Sequence, residues 1–374
     1  MPVTPLSPPA ASLDQAAGLA AAWLRANCPC GQCQDPGSGQ RLAGLADLPA
    51  QVRITAATEA GGDLHITFWP DGHQAVFSPS WLKTQAATAT DERTEDAKRL
   101  WAAADFPAGP PAWPWRDYRG REAARADGLA ALLRDGMMLL RGVPARPGAV
   151  LAVAQSLGYV RETNYGRLFD VRVTATPSNL AFTGLPIAPH TDNPYRDPVP
   201  TVQLLHCLAG AAEGGESGLV DGFAAAGLLR REDPAAFGIL AATPVTFAYR
   251  DATADLRATR PVIGLDPAGR IREIRFNHRS MQPWQPGGPG GGDRVAGAAA
   301  FYAAAGAFAR ILARPALMLS FRLEPGDCVA FDNTRVLHAR TGFAATGTRH
   351  LQGCYADLDG VSSSLAVLRR RTAP

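Results

Sequence analysis

His190-Thr191-Asp192, with His338 lying 146 residues beyond Asp192 and Arg349 eleven residues after that, is the arrangement in this chain with the clearest chemical content. In an extended strand, side chains alternate between faces, so residues i and i+2 point the same way. His190 and Asp192 can then reach one ion together, with Thr191 turned to the other side. His338 adds a second imidazole. Two histidines and one carboxylate leave positions open for substrate and oxygen, a set that suits non-haem Fe(II). Arg349 offers a forked cation that can take a dicarboxylate cosubstrate through paired hydrogen bonds. An HxD tripeptide alone is common by chance; the downstream His and Arg give it weight.

A second group of donors lies earlier in the chain. Cys28-Pro29-Cys30-Gly31-Gln32-Cys33 has the spacing CxC-x2-C, and His73 follows the turn Trp69-Pro70-Asp71-Gly72. Three thiolates and one imidazole close a tetrahedral shell with no open position, which is what a structural Zn(II) site requires. Of the remaining histidines, His65, His206 and His350 fall within strand-like runs, where a packed or hydrogen-bonded imidazole is the default. His278 sits at a strand end and fits either role.

The elements that must position these groups fall into two blocks. Residues 1–90 read as a small α+β zinc-binding domain: a short helix, the Cys-rich loop, and strands Gln51–Thr55, Leu64–Phe68 and Gln74–Phe77 separated by Gly61-Gly62 and Pro70-Asp71-Gly72 turns. Residues 91–116 read as a linker. Ala87–Arg99, which overlaps its start, is polar and charged and reads as linker or exposed helix, and Pro107–Pro114 is proline-rich and extended. Residues 117–374 read as a mainly β catalytic domain. Helical patterns Glu122–Asp135 and Gly148–Leu157 flank the apolar strand Met137–Leu140. Strand-type runs follow at Val171–Thr174, Val202–Cys207, Val245–Tyr249, Ile271–Phe276, Leu317–Leu323, Asp327–Phe331 and Leu351–Ala356. Such runs, broken by Gly/Pro turns, argue for a double-sheet jelly roll, the double-stranded β-helix. A helix is inserted over Val295–Ala313, and Pro286–Gly292 reads as a loop.

Composition excludes several classes of function. With 374 residues, 46% hydrophobic and 19% charged, the chain has length for a sizeable core and the make-up of a globular protein. A net charge of +3 is too small and scattered to mark a nucleic-acid partner, and Lys83 and Lys98 are the only lysines. No apolar run approaches the roughly 18–20 residues of a membrane span. The first fifteen residues hold four prolines and no basic segment of the secretory type, so a cytoplasmic protein is expected. Three of six cysteines within six positions suit metal binding in a reducing compartment better than a disulfide framework.

Further strings resemble one family: Pro189-His190-Thr191-Asp192, Val202-Gln203-Leu204-Leu205-His206-Cys207, Gly214-Gly215-Glu216-Ser217, Val220-Asp221-Gly222-Phe223 and the run from Arg349 to Asp357. Trp23-Leu24-Arg25-Ala26-Asn27-Cys28-Pro29-Cys30 adds to them. They are similar to the γ-butyrobetaine dioxygenase family, a branch of the TauD-like 2-oxoglutarate oxygenases that includes trimethyllysine dioxygenase. The resemblance runs from Trp23 to Leu368. It implies hydroxylation of γ-butyrobetaine to L-carnitine, with O2 and 2-oxoglutarate consumed, succinate and CO2 released, and ascorbate as a supporting reductant. It also implies that Leu205 and Asn277 line the 2-oxoglutarate pocket with Arg349, and that the zinc domain assists a homodimer.

The resemblance further places an aromatic cage for a trimethylammonium group at Tyr165, Phe169, Phe182 and Tyr355, with Asn179 reaching the acidic end of the substrate. Phe169 and Phe182 stand where animal members carry Trp and Tyr, and Asn193 replaces a Tyr expected to touch that acidic end. These departures keep alternatives open: trimethyllysine, or 2-trimethylaminoethylphosphonate, for which Arg167, Arg196 and Arg279 are candidate partners. A sulfonate substrate and a non-catalytic betaine-binding protein are the more distant readings.

Overall fold

In the computed structural model of the chain, residues 20–88, 98–173, 183–210, 213–283, 294–343 and 349–372 are described. The chain divides into two compact units, Met1–Glu95 and Asp96–Pro374.

The first unit is built on a three-stranded antiparallel meander, Arg53–Ala60, Asp63–Trp69 and Gln74–Phe77. Gly61 and Gly62, at φ 62° and 90°, close its first hairpin. A two-residue turn of this kind matches the twist of its strands only with left-handed backbone at both positions. Leu64, Ile66 and Phe68 alternate into a small core, while His65 between them is exposed. Helices Ala21–Ala26 and Pro79–Thr88 contribute Leu24 and Leu82 to the same core, beside Cys28 and Cys33. The strand Gln74–Phe77 lies where its alternation predicts; the first strand starts at Arg53 and runs on to Ala60.

Among its described residues the second unit contains two main sheets and two two-stranded ones, Pro244–Arg250 with Asp255–Pro261 and Ile263–Leu265 with Ile271–Ile274. The larger has the strand order Ala112–Pro114, Met137–Arg141, Cys328–Asp332, Val202–Ala209, His350–Ala356, Phe169–Arg172, parallel in the first pair and antiparallel thereafter. The smaller, all antiparallel, has the order Leu319–Phe321, Ser217–Asp221, Val336–Arg340, Ile187–His190. Strands of the larger sheet are apolar on both faces because both faces are covered. Met138, Leu140, Leu204 and Ala330 turn toward helices Glu122–Asp135, Ala149–Leu157 and Leu358–Thr372. Met137, Leu139, Val329 and Phe331 turn the opposite way and pack with Leu219, Leu319 and Val336 of the smaller sheet. This layer between sheets is the core of the expected double-stranded β-helix.

The helix Glu122–Asp135 agrees with its sequence pattern, and the inserted helix spans Arg294–Leu312. From Lys98 onward the stretch expected as a linker packs into the second unit: Trp101 and Phe106 are buried in the layer between the sheets, and Ala112–Pro114 is an edge strand. Leu317–Leu323 pairs only over Leu319–Phe321, after a short helical turn at Pro315–Leu317. Helices Gly222–Glu232 and Pro234–Ala242 escaped the periodicity reading, although their caps are written in the chain. Asp221 Oδ1 accepts from the Phe223 and Ala224 N–H groups, and Asp233 Oδ1 from Ala236 N–H with Pro234 opening the helix. Pro286–Gly292 lies outside the described residues. Among the described residues, no helix is long and apolar enough to cross a membrane.

Candidate metal centre and its cavity

Strand Val336–Arg340 pairs with Ile187–His190 so that His338 stands opposite His190, with ring centroids 4.1 Å apart. The ligand atoms of His190, Asp192 and His338 lie within 4.8 Å of one another. His190 Nε2 is 3.5 Å from Asp192 Oδ1, and His338 Nε2 is 4.0 Å from Asp192 Oδ2. Separations of this size are edges of a coordination shell with bonds of about 2.1 Å.

The route to that geometry differs in one respect from the simple strand argument. The strand ends at His190, and Asp192 lies past its end. Extended geometry is kept there by side chains. Thr191 N–H donates to Phe276 O (2.9 Å), and its Oγ1 accepts from Phe276 N–H (3.1 Å). Asn333, in the turn that leads into the His338 strand, accepts from Asp192 N–H (2.8 Å) and donates to Asp192 O (2.9 Å). The segment carrying two ligands is thus tied to the turn that positions the third. The extension then stops at Asn193, which adopts a left-handed φ of 54°.

The carboxylate is oriented from the larger sheet. Gln203 and Tyr355 are cross-strand partners, and both donate to Asp192 Oδ2, at 2.8 Å and 3.1 Å. Oδ1 is left facing His190 Nε2, while His338 Nε2 lies nearer Oδ2. His190 Nδ1–H donates to Ala188 O (2.9 Å), which turns the Nε2 lone pair toward the site. Burial, reinforced by neighbouring His190, presses His338 down to about 3, so it stands neutral, as a ligand must. Burial would raise the Asp192 carboxyl, but the hydrogen bond with His190 and the facing His338 imidazole and Arg279 guanidinium outweigh it and hold it well below the usual carboxylate range. Two imidazoles and an anionic oxygen fit Fe(II).

These groups border a cavity of about 230 Å³ lined from both sheets. Leu205, Asn277 and Arg349 all line it. Arg349 is only 7% exposed and makes no hydrogen bond or ion pair to a described residue. A buried, unpaired guanidinium is costly, so the position calls for an anion. Asn277 spends its amide on the scaffold, donating to Thr191 O (3.1 Å) and accepting from Arg279 N–H (3.2 Å). Arg340, not singled out from sequence, also lines the cavity and is committed to the carbonyls of Thr183 and Leu185.

Three of the four aromatics expected in the cage meet here. Phe169 stacks on Tyr355 with centroids 5.3 Å apart, and Tyr165 lies 5.9 Å from Phe169. Phe182 and Asn179 lie outside the described residues. Phe169 has room because it crosses Gly353, its cross-strand partner, where any Cβ would collide with the ring. Two further tyrosines complete the wall: Tyr249, 5.7 Å from Tyr165, and Tyr195, 5.1 Å from Tyr249. Tyr195 follows Asp192 by three residues, a closeness that could have marked it; Tyr249 comes from a strand with no local motif. Of the three candidate arginines only Arg279 lines the cavity, since Arg196 donates to Asn164 Oδ1 (2.8 Å) and Arg167 is exposed elsewhere.

In the first unit, Cys28, Cys30 and Cys33 place their sulfurs 3.2, 3.6 and 3.5 Å from His73 Nε2. Tetrahedral zinc with Zn–S of about 2.3 Å and Zn–N of about 2.1 Å has S···N edges of roughly 3.6 Å. Burial pushes the Cys28 thiol up to about 12, so a divalent ion is what would ionise it. Arg25 braces the shell, donating to Cys33 Sγ (3.3 Å) and to Asp71 Oδ2 (2.8 Å) in the loop that carries His73.

Comparison with known proteins shows the family. Residues 108–355 match the Taurine catabolism dioxygenase TauD, TfdA family, and residues 13–83 match the family described as Gamma-butyrobetaine hydroxylase-like, N-terminal. Among relatives, the Gamma-butyrobetaine dioxygenase of Pseudomonas sp. (strain AK-1) is 37% identical over 353 residues, covering 93% of this chain and 90% of the relative. The Homo sapiens Gamma-butyrobetaine dioxygenase is 31% identical over 372 residues, covering 94% and 91%. A Trimethyllysine dioxygenase of Meyerozyma guilliermondii is 27% identical over 365 residues, covering 92% and 89%. On the family match, the identities and the two donor sets, the chain belongs to the TauD, TfdA family of dioxygenases, in the branch of the γ-butyrobetaine dioxygenases.

Proposed function

We propose that this protein is an Fe(II)- and 2-oxoglutarate-dependent dioxygenase that hydroxylates γ-butyrobetaine to L-carnitine. One oxygen atom of O2 enters the product; the other enters succinate, formed from 2-oxoglutarate with loss of CO2. The observation that carries this reading is a single cavity holding a two-His, one-carboxylate set, an unpaired buried Arg349 and an aromatic wall.

Bound Fe(II) supplies O2 activation and the oxidising power for the C–H bond. The chain supplies orientation. Gln203 and Tyr355 hold Asp192 Oδ2 and so orient the carboxylate that would bind the ion. Arg349 receives the far carboxylate of 2-oxoglutarate, with Leu205 and Asn277 shaping that end of the cavity. A trimethylammonium has no N–H to donate, so the faces of Tyr165, Phe169 and Tyr355 hold it, each contact worth about 0.5–2 kcal/mol. Fixing the substrate at its cationic end sets which carbon meets the iron. Convergence of three cysteines as metal ligands suits a reducing cytoplasm, and family resemblance supports a homodimer with a structural zinc unit, acting in carnitine biosynthesis.

Arg279 at the cavity rim favours a second reading, a sister activity on trimethyllysine or 2-trimethylaminoethylphosphonate. Succinate release with Fe(II), 2-oxoglutarate and O2, measured for γ-butyrobetaine and these two compounds, tests both. Turnover is expected to be highest with γ-butyrobetaine, one succinate per carnitine. Background turnover with all three overturns the trimethylammonium reading.

A further inference from the structure

The strand that carries Phe169 is short and lies at the edge of the larger sheet. Phe169–Arg172 comes last in the strand order and pairs over four positions with His350–Ala356. A slip of one residue turns every side chain of a strand to the opposite face. Here it would send Phe169 outward and bring Asp170 to the cavity. In the observed register Phe169 and Val171 line the cavity with Leu351 and Tyr355. The alternate residues Asp170, His350 and Gln352 stand on the other face of the two strands, where hydrogen bonds join them. Asp170 Oδ1 accepts from His350 Nε2 (2.7 Å) and from Gln352 Nε2 (3.0 Å). Gln352, only 4% exposed, accepts in turn from Gly148 N–H (2.7 Å) at the start of helix Ala149–Leu157. Burial would raise the Asp170 carboxyl, but the bonds from His350 and Gln352 hold it below the usual carboxylate range, so it accepts as an anion. Backbone pairing alone serves several registers equally well. This ladder fits one, because Gln352 is the cross-strand partner of Asp170 and His350 its diagonal neighbour.

We propose that Asp170 is a positioning residue for the cationic end of the substrate: its outward ladder locks the register of the edge strand and so holds Phe169 across Gly353, stacked on Tyr355. This rests on the trimethylammonium reading above. Asp170 acts through Phe169, from the face of the strand turned away from the cavity. Without the ladder the strand is held by its backbone bonds alone, and an edge strand so held opens readily. The ring then spends less time on its partner, and the aromatic wall loses one of its faces.

The test compares full-length wild type, Asp170→Ala, Asp170→Asn, Phe169→Leu and the double variant Asp170→Ala/Phe169→Leu, all loaded with Fe(II) and zinc. It reads kcat and KM for γ-butyrobetaine, KM for 2-oxoglutarate, and amide hydrogen exchange over residues 169–172. Asp170→Ala is expected to raise KM for γ-butyrobetaine about fivefold with kcat within about twofold, and to leave KM for 2-oxoglutarate unmoved. Exchange in the edge strand should quicken about tenfold or more. Asp170→Asn keeps an oxygen acceptor at Oδ1 and should stay within about twofold of wild type on each measure. In the Phe169→Leu background Asp170→Ala should add less than about 1.5-fold to KM, because the ring it acts through is already gone. If Asp170→Ala does not fold, His350→Leu removes one rung of the ladder and should raise the same KM about twofold, again only while Phe169 is present. An unchanged KM, a rise in the Phe169→Leu background as large as in wild type, or an equal loss in Asp170→Asn and Asp170→Ala overturns the proposal. If exchange quickens in Asp170→Ala but wild type binds no γ-butyrobetaine in anaerobic calorimetry, the trimethylammonium reading has failed and the register lock has not.

Discussion

In the first unit, three sulfurs and one imidazole nitrogen crowd to 3.2–3.6 Å and use every corner of a tetrahedron. In the second, two imidazoles and one carboxylate gather at a cavity that Arg349, Asn193 and the tyrosines also line. The two sites also differ in what holds them. The cysteines sit in one short loop and need only His73 from a neighbouring turn, whereas the iron-type ligands come from separate elements and are aligned by Thr191, Asn333, Gln203 and Tyr355. A closed shell stabilises a small domain that has little core of its own; an open shell with an oriented carboxylate leaves room for chemistry.

Substitutions can separate these two roles. His190→Ala removes a ligand from the open shell, and losing the several kcal/mol that a metal ion contributes should lower succinate release at least about a thousandfold. The fold should survive, with circular dichroism and melting temperature close to wild type; retained succinate release would remove the iron assignment. Cys30→Ser attacks the closed shell instead. Zinc content by mass spectrometry should fall toward zero and the melting temperature by about 5 °C or more, with kcat of the remaining folded protein little changed. Unchanged zinc content would show that these cysteines are not its ligands. Gly353→Ala is the mildest, forcing Phe169 off its partner strand without touching either shell. Weakening one aromatic contact by about 0.5–1 kcal/mol should raise KM for the trimethylammonium substrate about two- to fivefold. The KM for 2-oxoglutarate should not move; an equal rise in both would mean that the larger sheet, not the cage, was disturbed.

Legibility of the sites followed the range of the interactions. Cys28, Cys30 and Cys33 are close in sequence, and His190 with Asp192 is a two-residue pattern, so local spacing exposes them. The helix Glu122–Asp135 and the strand Gln74–Phe77 likewise follow from local periodicity. The helices after Asp221 and Asp233 are marked in the sequence by their caps. Asn333, Gln203 and Tyr249 carry no local signature. Each acquires its role from a partner on another element or from the cavity it borders.

Residue types and order along the chain were enough to name two metal shells, a cation for a dicarboxylate and a jelly-roll scaffold, because donor chemistry and strand alternation are local properties. Only the tertiary structure decided that Gln203 and Tyr355 hold Oδ2 of Asp192, that Arg349 is buried with no hydrogen-bond or ion-pair partner among the described residues, and that Arg279 rather than Arg167 or Arg196 reaches the cavity. Those outcomes depend on hydrogen bonds and burial between residues far apart in sequence. Spacing does not encode such contacts; they exist once the sheets have packed.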